Sequence, residues 1–189
     1  MHLGRLNDPA VSAQFQAVEP TGKRTMVCID VSGSMTMPLM GSPLSVCEGA
    51  AALAMTTMRT EPNWHVMAFA DGLRPLPLNA RMSLNEVTRH TRNVNFGGTD
   101  CALPMLHALE KGLSVDVFVV LTDNETWAGK VHPTVALQQY RRKTGIPAKL
   151  IVAGMTSTGF SIADPDDGGM LDIVGFDAAA PAVMADFAR

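Results

Sequence analysis

Asp30, Ser32 and Ser34 place one carboxylate and two hydroxyls at alternate positions of the run Asp30-Val31-Ser32-Gly33-Ser34. They follow Met26 to Ile29, a short apolar run that reads as a buried strand. The polar residues therefore fall on a loop at the carboxyl end of that strand, where ligands bind in open α/β sheets. Small, hard oxygen donors on a tight glycine-containing loop suit a cation of the size of Mg²⁺. The alternative is a serine-rich turn that happens to follow a strand. From average residue usage, an Asp-x-Ser-x-Ser match in a chain this long has a chance probability on the order of a few per cent. The strand before it lowers that further.

Two more segments offer oxygen donors. Phe96-Gly97-Gly98-Thr99-Asp100 ends a polar stretch and opens a helical pattern. Val117 to Leu121 is an apolar strand that runs into Thr122-Asp123-Asn124-Glu125. The spacing resembles the metal-ion-dependent adhesion site of von Willebrand factor A domains, which is Asp-x-Ser-x-Ser, then a Thr, then an Asp ending a central strand. Asp30, Ser32, Ser34, Thr99 and Asp123 occupy the matching positions. The resemblance implies that Ser32, Ser34 and one of Thr99 or Asp123 touch the metal directly. Asp30 then acts mostly through water and through hydrogen bonds to the loop. Neutral hydroxyls leave much of the cation's charge uncompensated, so the ion keeps waters and accepts an outside oxygen. Mg²⁺ is the expected ion, with Mn²⁺ and Ca²⁺ as alternatives. An acidic side chain of a partner protein or an RNA phosphate would supply the oxygen. This is binding chemistry rather than catalysis.

The 189 residues suit one domain with a real core, and a hydrophobic content of 47% is ordinary for a globular protein. The net charge of −3 excludes a chain that is basic throughout and clamps nucleic acid. No apolar run approaches the roughly 20 residues of a membrane span, and the amino terminus lacks a signal-peptide pattern, so no membrane association is expected. Cys28, Cys47 and Cys101 are scattered and odd in number. That favours reduced, buried thiols in a cytoplasmic protein over a disulfide framework. No Cys or His pair has zinc-ligand spacing. Met35, Met37 and Met40 cluster after the serine loop. They are either flexible packing filler, the favoured reading, or an adaptable apolar rim beside a ligand site.

The elements that must position these residues follow from periodicity and punctuation. Ser42 is expected to cap a helix with Pro43 at its first position, and Leu44, Cys47, Ala51, Ala54, Met55 and Met58 form its core stripe. Trp64 to Ala70 reads as a second strand. Asp71-Gly72 is a hairpin signal, and Leu73 to Leu78 is the antiparallel return, demoted to an edge by Pro75 and Pro77. A short helix begins at Ser83. Another begins at Thr99 or Asp100, turns Leu103, Leu106 and Leu109 inward, and stops at Gly112. Val117 to Leu121 is the fourth strand. A helix from Pro133, with Leu137 and Tyr140 inward, closes at Gly145. Ala148 to Ala153 and Leu171 to Phe176 are the last strands. A terminal helix from Pro181 presents Val183, Met184 and Phe187. Strands alternating with helices predict an α/β, doubly wound, mostly parallel six-stranded sheet with one antiparallel edge strand and helices on both faces.

The second half carries a more specific resemblance. Its segments are Thr122-Asp123-Asn124-Glu125-Thr126-Trp127-Ala128-Gly129-Lys130-Val131-His132-Pro133, Gln139 to Leu150, Gly154-Met155-Thr156-Ser157, Gly159 to Asp167, and Gly175-Phe176-Asp177. Upstream, Val18 to Arg24 leads into the first strand. These resemble the von Willebrand factor A domain of the Ro 60 kDa autoantigen family and its bacterial relatives, over residues 18 to 187. Residues 1–22 then read as a linker or the tail of a preceding domain, and 23–189 as the von Willebrand factor A domain. The resemblance implies a protein of RNA quality control. Its helical-repeat ring binds small non-coding Y RNAs outside and the ends of misfolded RNAs within. This chain is too short to hold that ring, so what transfers is the cation site and whatever protein or RNA it recruits. The domain is expected to be monomeric and to join a ribonucleoprotein through the rest of a Ro-type protein.

The other polar residues have plainer readings. Glu125 is either an acceptor for metal-bound water or a solvated acid. Trp127 is either a loop-packing aromatic, the favoured reading, or an exposed contact, and His132 before Pro133 takes a cap or a surface role. Arg141, Arg142 and Lys143 form a solvated helix end rather than an RNA contact. The acidic turn at Asp164, Asp166 and Asp167 lacks the calcium-loop pattern. Two other function classes compete with a binding module. A dehalogenase-like phosphatase needs a second Asp where Ser32 stands, so no enzyme is expected. Direct RNA binding by this domain predicts affinity that falls steeply with salt.

Overall fold

A computed structural model describes residues 18–92, 97–123, 129–156 and 162–189. Its centre is β1, Thr25–Asp30, buried along its whole length. Val27 and Ile29 face one apolar cluster, and Met26 and Cys28 face another. A strand covered on both faces needs such a continuous apolar run. β2 (Trp64–Phe69) and β4 (Val117–Thr122) pair with β1 on either side, both parallel. β3 (Leu73–Pro75) returns antiparallel on β2, and β5 (Lys149–Gly154) and β6 (Met170–Val174) extend the sheet beyond β4 in parallel. The order is β3-β2-β1-β4-β5-β6. The chain leaves β1 for one half of the sheet and resumes at β4 for the other. The topological switch point therefore lies between β1 and β4, and their carboxyl ends flank the crevice where such folds bind ligands.

Helices cover both faces, as the alternation predicts. α1 (Val46–Thr60), α2 (Leu84–Arg92) and α5 (Ala180–Ala188) build the cluster around Val27 and Ile29. α3 (Leu103–Lys111) and α4 (Pro133–Thr144) build the one around Met26 and Cys28. Tyr140 of α4 is fully buried, stacks edge-on against Phe118 and hydrogen-bonds across the sheet's lower edge. Its hydroxyl donates to Leu113 O (2.7 Å) and accepts from Val115 N (2.7 Å). All three cysteines are free and buried. Among the described residues no helix is long and apolar enough to cross a membrane.

Several boundaries differ from expectation. α1 starts at Val46, capped by Ser45 rather than Ser42. Glu48 N donates to Ser45 Oγ (3.2 Å) while Ser45 N donates to Glu48 Oε2 (2.8 Å), so a reciprocal capping box outcompetes the Ser-Pro start. Ser42 Oγ instead accepts Leu44 N inside a turn. β3 ends at Pro75, because the prolines withhold the N–H groups that a longer ladder needs. α3 starts at Leu103, because Asp100 holds the preceding residues as a loop: its N–H donates to Ala70 O (2.9 Å) and its carboxylate accepts Ala102 N (3.0 Å). On this helix Met105 and Ala108 are fully buried, whereas Leu103, Leu106 and Leu109 are half-buried. β6 stops at Val174, before Gly175 takes φ 93°. On α5, Met184 is buried and Phe187 packs against the core, whereas Val183 is exposed. Arg141 is not a solvated helix end. It pairs with Asp167 and donates to Ala148 O (2.7 Å), tying α4 to the acidic turn before β6.

Candidate metal centre

Asp30 ends β1 with its side chain fully buried, and each carboxylate oxygen has a donor. Oδ1 accepts Ser32 N (2.8 Å) and Oδ2 accepts the Thr122 hydroxyl (2.8 Å). The first bond bends the chain back immediately after the strand. The short 3₁₀ turn Gly33–Thr36 follows, pinned by buried Met35. That turn brings the Ser32 and Ser34 hydroxyls to 3.1 Å from each other. Ser32 is 4% exposed and Ser34 is half-buried.

Asp123 follows β4 and is buried. Its Oδ1 lies 3.4 Å from the Thr122 hydroxyl that also binds Asp30. Its carbonyl accepts the Thr156 hydroxyl at the end of β5 (2.5 Å). Thr99 is 4% exposed on the loop that Asp100 N ties to Ala70, just past the end of β2. β2 is the direct neighbour of β1, with Asp30 in register with Phe69. Ser32, Ser34 and Asp123 are thus joined to Asp30 by direct or one-step contacts, and Thr99 reaches the same sheet edge through the backbone. The donor set is two carboxylates and three hydroxyls. Among the described residues no group of three or more His, Cys, Asp or Glu side chains could hold a metal, so any ion here must use hydroxyl oxygens. Hard oxygen donors with a low ligand charge fit Mg²⁺ and do not fit a zinc site built on sulfur and nitrogen.

Burial pushes the Asp30 carboxyl up to about 6. The Ser32 N–H, the Thr122 hydroxyl and the Ser32 side chain oppose that rise, and the negative charge of Asp123 adds to it. Burial also raises Asp100, against the pull of Ala102 N–H. The buried Asp30 carboxylate is thus held at an energetic cost that a cation would relieve.

Thr122 and Asp100 are site residues that periodicity did not reveal. The one available signal for Thr122 was a hydroxyl ending an otherwise apolar run. Asp100 lies so near Gly129 that a Cβ there would sit 2.3 Å from its carboxylate oxygen, and Gly129 holds φ 92°. Gly129 therefore comes this close to Asp100 only because it is glycine. His132 caps α4, its Nδ1 accepting Thr134 N (3.3 Å), as expected. Of the methionines, Met35 is packed, but Met37 and Met40 are exposed and fill no core. Phe96, Asn124, Glu125 and Trp127 lie outside the described residues.

Known proteins resemble this chain in sequence and fold. Residues 24–188 match the family model described as the Ro60 vWA domain. The chain is 51% identical over 184 residues to the RNA-binding protein RO60 of Deinococcus radiodurans, covering 96% of this chain and 35% of that protein. It is 45% identical over 174 residues to the RNA-binding protein RO60 of Caenorhabditis elegans, covering 92% of this chain and 27% of that protein. The chain thus spans about a third or less of the length of these curated relatives. The crystal structure of the Deinococcus radiodurans RO protein superposes with a TM-score of 0.85 at 53% identity, over 93% of this chain and 36% of that one. The mussel byssus proximal thread matrix protein 1, solved with zinc occupying its MIDAS motif, shares the fold at 14% identity with a TM-score of 0.58, over 90% of this chain and 48% of that one.

Proposed function

Since this chain belongs to the Ro60 von Willebrand factor A domain family, we propose that it is a divalent-cation-dependent binding module of a Ro-type RNA-binding protein. In this reading residues 23–189 form the module and 1–22 lead into it. It serves small non-coding RNA and RNA quality-control complexes in the cytoplasm, as a monomeric unit without catalysis. Ser32, Ser34 and one of Thr99 or Asp123 hold Mg²⁺, and Asp30 acts from behind. A bound cation supplies an open position for an oxygen from outside the chain. The chain's own part is preorganisation. Asp30 fixes Ser32 through the backbone and aligns Thr122, so the two serine hydroxyls are held together before anything binds.

The observation that carries this reading is the fully buried Asp30 carboxylate bonded to both Ser32 N and the Thr122 hydroxyl. A carboxylate withdrawn from water is costly without a cation to serve. The homologues' names, RNA-binding protein RO60, support the setting, and the zinc-occupied motif of the mussel protein supports a cation at this place in the fold. Calorimetric titration of the purified chain with Mg²⁺ and Mn²⁺ tests it. Binding that disappears in Ser32→Ala/Ser34→Ala is expected. Equal binding by that variant would refute the assignment.

A second reading is direct RNA binding. Arg74, Arg81 and Arg89 are exposed, and among the described residues no ion pair engages them. It predicts RNA affinity that is independent of EDTA and falls steeply with salt.

A further inference from the structure

α1 and α5 cover the same face of the sheet and leave an open crevice of about 440 Å³ between them. Val119 and Ile151 lie on its floor, Leu53 and Thr57 on the α1 wall, and Met184 and Ala188 on the α5 wall. The Thr56 hydroxyl, on the same wall as Thr57, donates back to Ala52 O (3.1 Å) and is not free for a ligand. The chain approaches β1 along the edge of this crevice, and Val18 lines it. Glu61, which ends α1 and is 9% exposed, accepts Thr21 N (2.9 Å) and Gly22 N (3.0 Å). Arg189, which ends α5, donates to Glu19 O (3.2 Å). The approach to β1 is thus strapped to both walls, and the chain upstream of Val18 starts at the crevice itself.

Residues 1–17 lie outside the described residues, but their sequence carries a pattern. Asp8-Pro9 is a helix-start signal, and Pro20 is a stop. Between them Val11, Phe15 and Val18 recur at four- and three-residue spacing on one helical face, while Ser12 and Gln16 fall on another. As a helix, Pro9 to Ala17 would span about 13 Å, close to the roughly 10 Å that separates Leu53 from Thr60 along α1. We infer that residues 9–17 dock into this crevice as a helix of the same chain, with Phe15 and Val11 continuing the row that Val18 begins. Connectivity favours this occupant over any free partner, because a side chain three residues from an anchored Val18 is held at high effective concentration. The direction fits as well. α1 and α5 both run from the carboxyl ends of the strands towards the start of β1, where Glu61 and Arg189 meet residues 19–22. A helix ending at Val18 runs alongside them, and Gly22 at φ 71° turns the chain into β1. The docked segment fixes where the upstream chain leaves the domain. This inference is independent of the cation site.

Thermal melts and amide hydrogen exchange of the full chain test it. Phe15→Ser should lower Tm by about 4–8 °C and speed exchange roughly tenfold in α5 and in the last turn of α1. Gln16→Ser, on the other helical face, should melt and exchange with the parent. Coupling by a short bismaleimide reads the placement directly. The three native cysteines are buried, so only introduced thiols react. Ser12→Cys should couple to Thr57→Cys within one chain, and not to Gln138→Cys, which is exposed on α4 across the sheet. Adding Phe15→Ser should abolish the coupling. Should Phe15→Ser fail to fold, Val11→Ser supplies the same comparison with a smaller loss. Phe15→Ser and Gln16→Ser that melt and exchange alike, or coupling to Gln138 as readily as to Thr57, would overturn the docking. Coupling to Thr57 only between chains, rising with protein concentration, would put a second copy's segment in the crevice and refute the proposal.

Discussion

Replacing Asp30 by Asn should make the metal-free protein more stable while destroying its affinity for cations. Burial holds the Asp30 carboxyl at about 6 against an ordinary 3.8. A folded value above the unfolded one means that the ionised carboxylate opposes folding. The cost is fully present above about pH 7 and fades as the pH falls through 6 towards 3.8. That gap amounts to about 3 kcal/mol at pH 7.5 and about 1 kcal/mol at pH 4.5. Asn is neutral and nearly isosteric. Its carbonyl can still accept Ser32 N, and its amide can donate to the Thr122 hydroxyl. In EDTA at pH 7.5, Asp30→Asn should therefore gain about 2–3 kcal/mol, or about 5–10 °C in Tm for a chain of this size. At pH 4.5 most of the gain should vanish. Adding Mg²⁺ at a hundredfold excess over Kd should stabilise the parent by about 2.7 kcal/mol and leave the variant unmoved. Thermal melts at the two pH values, with and without Mg²⁺, measure all of this. A variant less stable than the parent at pH 7.5 in EDTA would refute the idea that this carboxylate is held at a cost for the sake of a cation.

Three further outcomes follow from the same geometry. Gly129→Ala would drive a Cβ to 2.3 Å from the Asp100 carboxylate at φ 92°; it should cost about 2 kcal/mol or more and weaken Mn²⁺ binding in calorimetry by displacing the Thr99 loop. Ser45→Ala removes one half of the capping box of α1; urea melts should show a loss of about 1 kcal/mol. Tyr140→Phe strands the Val115 N–H and the Leu113 carbonyl; it should lose about 1–3 kcal/mol and keep metal affinity unchanged, since those groups sit at the opposite edge of the sheet.

The alternation of apolar runs with helical stripes was enough to specify a doubly wound sheet, because a strand buried on both faces must be apolar throughout and a covering helix must repeat its apolar side every three to four residues. Asp30, Ser32 and Ser34 were legible for the same local reason: they lie within five positions of one strand end, where chain connectivity alone keeps them together. Thr122 was not. Its contact with Asp30 spans 92 residues and exists only because Leu121 pairs with Ile29 across the β1–β4 ladder. The choice of Ser45 over Ser42 as a cap, the pairing of Arg141 with Asp167, and the split between buried Met35 and exposed Met37 and Met40 likewise depended on what the fold brought alongside. Residue type and spacing determined which groups could bind a cation. Which of them are withdrawn from water, and which stand out into it, was decided by strand register and packing, because desolvation is a property of neighbours far apart along the chain.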